Sequence, residues 1–353
     1  MKNAYWCLIA WFLSFFCLQL NADISRIEYL ELSLDHDKIA MRSKANPRGS
    51  IAAVEGKLRI NDGPIRNVFY LNRTEDGSGG LLPKLFIKIE GESPEILVLE
   101  ASKAITSKDP LPFIPEELVH RLLRAVSPLN LESKLVRLKI IDPFRKAEVE
   151  ALGLLTEHFM DFAKRTESAY DDMSEISQIT DDEIKDQMLG ARQQHVEVES
   201  AVLLALFQAW FDHADWEFFG YNFSINNHVF NVASFHKKGK IFPVAYDFER
   251  AWFSGVATFD YAYEDSFTGN FMRLKKALLT RVVKHSELER IISLFVSKKQ
   301  ELTSIIRNSR AAETEKKFLI QNLDKFALLL LKNFSEASLG TSPNENILQG
   351  VVP

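Results

Sequence analysis

The chain is nearly devoid of thiols. Its two cysteines, Cys7 and Cys17, fall within the first 22 residues, so positions 23–353 contain none. Disulfide scaffolds, zinc–thiolate centres, iron–sulfur clusters and cysteine nucleophiles are thereby excluded from that stretch. A cationic excess is also missing: 43 Lys and Arg stand against 48 Asp and Glu, for a formal charge of −5, which removes the electrostatic case for a nucleic-acid binder. The sequence has no Gly-x-Ser-x-Gly elbow, no Walker-type Gly-Lys-Ser/Thr loop and no Gly-x-Gly-x-x-Gly after a strand, and its eight histidines lack zinc-enzyme spacing. These absences argue against α/β-hydrolase, P-loop, dinucleotide-binding and zincin chemistry. Asp247 and Glu249 sit two apart on one strand face, too close for the opposed carboxylates of a glycosidase.

What is present begins with a targeting segment. Residues 1–22, MKNAYWCLIAWFLSFFCLQLNA, carry one charge, Lys2, ahead of an apolar run from Ala4 to Leu20, and Ala22 offers a small residue before a cleavage point. This is the layout of a secretory signal peptide. The alternative, an uncleaved anchor, is disfavoured because the run is short for a spanning helix. No second long apolar run follows. The expectation is an exported protein, periplasmic or secreted from a bacterial envelope, with no stable membrane span once the segment is removed.

The stretch from Ser25 to Lys108 reads as β-rich, with strand-length runs at Ile27–Leu34, Ile51–Ile60, Asn67–Leu71 and Leu85–Ile89, and a turn at Glu75–Gly80. Pro115 opens a helix on which Glu116, Val119, His120, Leu123 and Val126 share one face. Val136–Ile141 and Leu152–Phe159 read as further strands. The acidic stretch 164–194 reads as a solvated helical insertion. Glu199–Trp210 is apolar nearly all round, as a buried helix is. It leads into a polar loop, then a hairpin whose turn is Lys237–Lys240, and a helical pattern from Met272 to Phe334. The expected plan is α+β: a signal peptide at 1–22, a β-rich lobe with one helix at 23–163, a mostly helical lobe at 164–334 and a polar, disordered tail at 335–353.

The chemistry-bearing residues lie in one stretch. His213-Ala-Asp215 is followed by Asn222 and then by Tyr246-Asp247-Phe248-Glu249. Phosphoryl transfer uses such a set: one carboxylate to take or orient the acceptor proton, and a second carboxylate with an amide oxygen to hold the metal. The bland alternative is that Asp215 caps a turn and Asp247 a strand end.

This pattern resembles the protein-kinase-like superfamily. DFERAWFSGVATFDYA, ending near Asp260, is similar to the aminoglycoside and choline phosphotransferase branch. LVHRLLRAVSPLNLESKLVRLKIID, TEHF, ADW, GYN and FPVAYDFE resemble the CotH-like spore-coat kinases. The resemblance covers about Leu82–Asp265, and it is specific over His213–Asp260. It implies a two-lobed kinase-like fold that binds ATP with Mg²⁺ or Mn²⁺. It makes Asp215 the catalytic base and Asn222 and Asp247 the metal ligands. It also asks for a strand lysine, Lys88 or its same-face neighbour Lys84, and a helix glutamate, Glu116, to serve the nucleotide phosphates. The acceptor would be a hydroxyl on a protein or small molecule. Asp215 and Asn222 are seven residues apart, against the usual five, and Trp216, Phe218, Phe219 and Tyr221 fill the loop between and around them. The second reading is therefore a catalytically inactive kinase-like envelope protein that binds partners.

Overall fold

A computed structural model of the chain describes residues 24–35, 53–72, 82–89, 96–101, 113–127, 129–171, 195–211, 232–246, 248 and 285–334. These fall into two compact units, one drawn from Met1–Lys108 and Glu132–Asp161, the other from Asp109–Leu131 and Phe162–Pro353. The strands are β1 (Tyr29–Ser33), β2 (Ala53–Ile60), β3 (Ile65–Asn72), β4 (Leu82–Ile89), β5 (Ile96–Ala101), β6 (Ser133–Asp142), β7 (Ala147–Thr156), β8 (Ala169–Asp171), β9 (Val232–Lys237) and β10 (Lys240–Ala245). The helices are α1 (Phe113–Val126), α2 (Phe159–Thr166), α3 (Val198–Phe211), α4 (His285–Ser297), α5 (Lys299–Arg307) and α6 (Glu313–Phe334). The mixture of strands and helices read from the sequence is present. No described helix is long and apolar enough to cross a membrane, and the segment 1–22 lies outside the described residues.

The first unit is a closed barrel of seven strands in the order β1-β2-β3-β4-β5-β7-β6. Neighbours are antiparallel except at the seam, where β1 runs parallel to β6 from Tyr29↔Arg137 to Ser33↔Ile141. Alternation places one side chain in two inside, as in β1, where Leu30 and Leu32 are fully buried. Leu58, Leu85, Ile87, Leu99 and Leu155 complete the interior, so the barrel is filled rather than hollow. Gly56 is required by a close approach. A Cβ there would stand 2.2 Å from the Tyr70 ring and 2.6 Å from the Ser33 carbonyl. Tyr70, itself buried, donates its hydroxyl to the Lys57 carbonyl at 2.6 Å.

Two sequence readings are corrected here, and one strand is added within the stretch read as β-rich. Leu152–Phe159 is not one strand: β7 ends at Thr156 and α2 begins at Phe159. Ile96–Ala101, unnamed among the strand runs, is β5. The helix beginning near Pro115 was expected within the β-rich lobe, but α1 belongs to the second unit. Its apolar face packs with α3 and the C-terminal helices, which leaves the barrel wholly β.

In the second unit α3 is the central element. Every residue from Ala201 to Phe211 is buried, which explains why its sequence has no polar face. Around it pack Leu122 and Leu123 of α1, Ile291 and Phe295 of α4, Leu302 and Ile306 of α5, and Leu323, Phe326 and Leu330 of α6. A three-stranded sheet, β10-β9-β8, completes the unit. Its β9–β10 hairpin turns through Lys238 and Gly239, both at positive φ (51° and 74°), as a tight two-residue turn demands. The helical pattern read up to Phe334 resolves into three described helices, with breaks at Lys298 and over 308–312.

Candidate functional site

α1 is amphipathic, and the face anticipated from its sequence is the buried one: Glu116, Val119, His120, Leu123 and Val126 are each at most 4% exposed. Pro115 occupies the helix's first turn, where its missing N–H costs no helical hydrogen bond. The anomaly on this face is Glu116. A carboxylate in an apolar setting is costly unless its oxygens accept hydrogen bonds. Glu116 Oε1 accepts one from the backbone N–H of Phe248, at 3.2 Å.

Phe248 is fully buried in the same core. Its ring meets the imidazole of His120, one turn beyond Glu116, edge to face at a centroid distance of 4.4 Å and an interplanar angle of 86°. The geometry is that of a favourable aromatic pair. α1 thus holds Phe248 twice, by its main chain through Glu116 and by its ring through His120. Two further bonds brace the helix: Asn130 Nδ2 donates to the His120 carbonyl at 3.0 Å, and Arg165 donates to the Asn130 carbonyl at 2.9 Å.

The sequence-derived site residues fare differently. Glu116 meets the backbone N–H of Phe248. Lys88 lies on β4, exposed on the outer face of the barrel, while Leu85, Ile87 and Ile89 point inward. Lys84 shares that strand, and only its backbone position is described. Asp215, Asn222 and Asp247, with His213 and Asp260, lie outside the described residues. Among the described residues no group of three or more His, Cys, Asp or Glu is placed to hold a metal ion. His120 and Asn130 were not singled out as site residues. The one sequence signal for His120 was its place four residues after Glu116 on the same face, and Asn130 had none.

A histidine elsewhere is also perturbed. His158, between β7 and α2, accepts the Met160 backbone N–H on Nδ1 at 3.3 Å and lies near the rings of Phe86 and Phe159. Burial lowers its pKa from the ordinary 6.5, because the charged imidazolium loses hydration there.

No family model matches the chain, and no curated protein matches it. Among solved structures it is similar to the crystal structure of a Helicobacter pylori proinflammatory kinase, CtkA. The match covers 85% of this chain and 96% of that one at 11% identity, with a TM-score of 0.37. A similarity of that degree assigns no activity to this chain.

Proposed function

We propose that the protein is an exported, atypical kinase-like phosphotransferase that moves phosphate from a metal–nucleotide to a hydroxyl on a protein or small molecule. The observation that carries this reading is the hydrogen bond from Phe248 N–H to Glu116 Oε1. The resemblance implies a helix glutamate serving the nucleotide phosphates, and the glutamate proposed for that role meets the backbone of Phe248, next to the proposed metal ligand Asp247 in sequence and 132 residues further along the chain. In this reading Asp215 orients and deprotonates the acceptor hydroxyl, and Asn222 and Asp247 hold Mg²⁺ or Mn²⁺. Lys88, or Lys84, serves the phosphates of ATP. The proposed donor set is carboxylate and amide oxygen, which suits a hard divalent cation. The bound metal would neutralise charge on the transferring phosphoryl group.

Thermal shift of the purified protein tests it. Ligand bound only by the folded state raises apparent stability by mass action. A rise that requires ATP and Mg²⁺ or Mn²⁺ together, and that disappears in Asp247→Ala, is the expected result. No rise at millimolar nucleotide and metal would sink the phosphotransferase reading and favour the inactive, partner-binding alternative.

A further inference from the structure

Away from the α1 cluster, α5 and α6 flank a cleft of about 500 Å³ within the second unit. That is inside the roughly 300–1,000 Å³ span of small-molecule sites. Its wall is polar and apolar in nearly equal parts. Lys299, Gln300, Thr303, Ser304 and Arg307 line it from one face of α5, Asn308 from the residue that caps that helix, and Ile320 and Asp324 from α6.

The two cations differ. Lys299 Nζ lies 2.7 Å from Asp324 Oδ1, so one end of the cleft is a neutral pair offering both donors and an acceptor. Arg307, two turns further along α5, has no ion-pair partner among the described residues. Its planar guanidinium matches a carboxylate or phosphate in a two-point fork. Asn308 Nδ2 donates to Ser304 Oγ at 3.3 Å, which leaves the Ser304 hydroxyl able to donate and the Asn308 amide oxygen able to accept. Thr303 adds a second hydroxyl, and Ile320 supplies one apolar wall. One unbalanced guanidinium, hydroxyl and amide groups of both polarities, and a single aliphatic surface suit a compact ring carrying hydroxyls and one anionic group.

We propose that this cleft is a binding site for an anionic monosaccharide, with its phosphate or carboxylate on Arg307 and its hydroxyls on Thr303, Ser304 and Asn308. The inference is independent of the nucleotide reading, and its probes contain no nucleotide.

Titration calorimetry on the full chain with glucose 6-phosphate, glucuronate, glucose and inorganic phosphate tests it. Saturable binding of at least one charged sugar is expected, about tenfold or more tighter than glucose or inorganic phosphate. The charged sugar that binds identifies the anionic group. Arg307→Gln weakens that binding about tenfold, whereas Asp324→Asn, which leaves Lys299 uncompensated, tightens it several-fold. Arg307 is exposed and Asp324 about half exposed, and circular dichroism checks that both variants fold. No saturable binding of either charged sugar at millimolar concentration overturns the proposal. Binding unchanged in Arg307→Gln overturns it by locating the site elsewhere. Inorganic phosphate bound as tightly as the sugars overturns it by showing a simple anion site.

Discussion

Phe248 donates its backbone N–H to Glu116 across 132 positions of sequence, and His120, on the next turn of the same helix, closes on the Phe248 ring. The aromatic ring, the carboxylate and the imidazole are all buried. A short segment near the end of β10 is therefore registered against α1 by one directional bond and one shape-specific contact.

Glu116→Ala leaves the buried N–H of Phe248 without this acceptor, at a cost of about 1–3 kcal/mol. Glu116→Gln retains an oxygen at the same reach and loses less. Urea denaturation of the two variants orders them wild type, Gln, Ala. Equal midpoints for all three would show that the bond carries no energetic weight.

Gly56→Ala puts a methyl group into the Tyr70 ring and the Ser33 carbonyl. Backbone and a buried ring have little room to yield, so a loss of about 1–3 kcal/mol or more is expected. Tyr70→Phe, which only removes the bond to the Lys57 carbonyl, costs about 1 kcal/mol. An alanine variant as stable as wild type would contradict the close approach.

Alkaline pH gives a second readout of Tyr70. Burial raises the phenol's pKa above its ordinary 10.0. The unfolded chain then releases a proton where the folded one keeps it, so stability falls as pH rises through 10. Tyr70→Phe flattens that fall. Parallel pH profiles for wild type and variant would refute it.

His158 acts with the opposite sign. Its folded pKa lies below 6.5, so the unfolded state binds the proton first and stability declines as pH drops through 6.5. His158→Asn does not titrate there and offers an oxygen to the Met160 N–H. Denaturation midpoints at pH 7.5 and pH 5.5 differ less in this variant than in wild type, and an equal difference would count against the assignment.

Phe326→Ala removes a fully buried ring that meets Phe295 edge-on at 5.7 Å. Emptying such a position costs about 3–5 kcal/mol. A smaller loss would mean that α6 relaxes into the space.

The legible parts of this fold are those whose signals are local. α3 was read to within a residue or two because Ala201–Phe211 has no polar side to place in water. The Lys237–Lys240 turn announced itself through Lys-Lys-Gly-Lys. Glu116 was found because a carboxylate stood on an apolar helix face. The seam from Tyr29 to Arg137 was not legible, because parallel pairing is set by partners far apart in sequence and each strand pattern alone fits an open sheet equally well. The split of Leu152–Phe159 was missed because the junction at Glu157 and His158 carries no glycine or proline to punctuate an otherwise strand-like run. Both are anchored by distant or local backbone: Glu157 accepts the Glu132 N–H at 3.0 Å. The roles assigned to Asp215, Asn222 and Asp247 rest on the family resemblance of their motif, while the Glu116–Phe248 bond rests on geometry.

The parallel seam also imposes an order of events on folding. β1 emerges early, but its partner β6 lies roughly a hundred residues further along, beyond the whole of α1. Until β6 arrives, β1 presents a bare edge with unsatisfied backbone groups, the kind of template on which chains associate. Closing a loop of that length is a late, entropically taxed step, so the barrel belongs to the slow-folding, non-local topologies. Its hairpins β2–β3, β3–β4 and β6–β7 form from neighbours, whereas the seam waits on nearly the entire unit. The interval between synthesis of Ser33 and capture by Ile141 is when this chain most needs protection from its own kind.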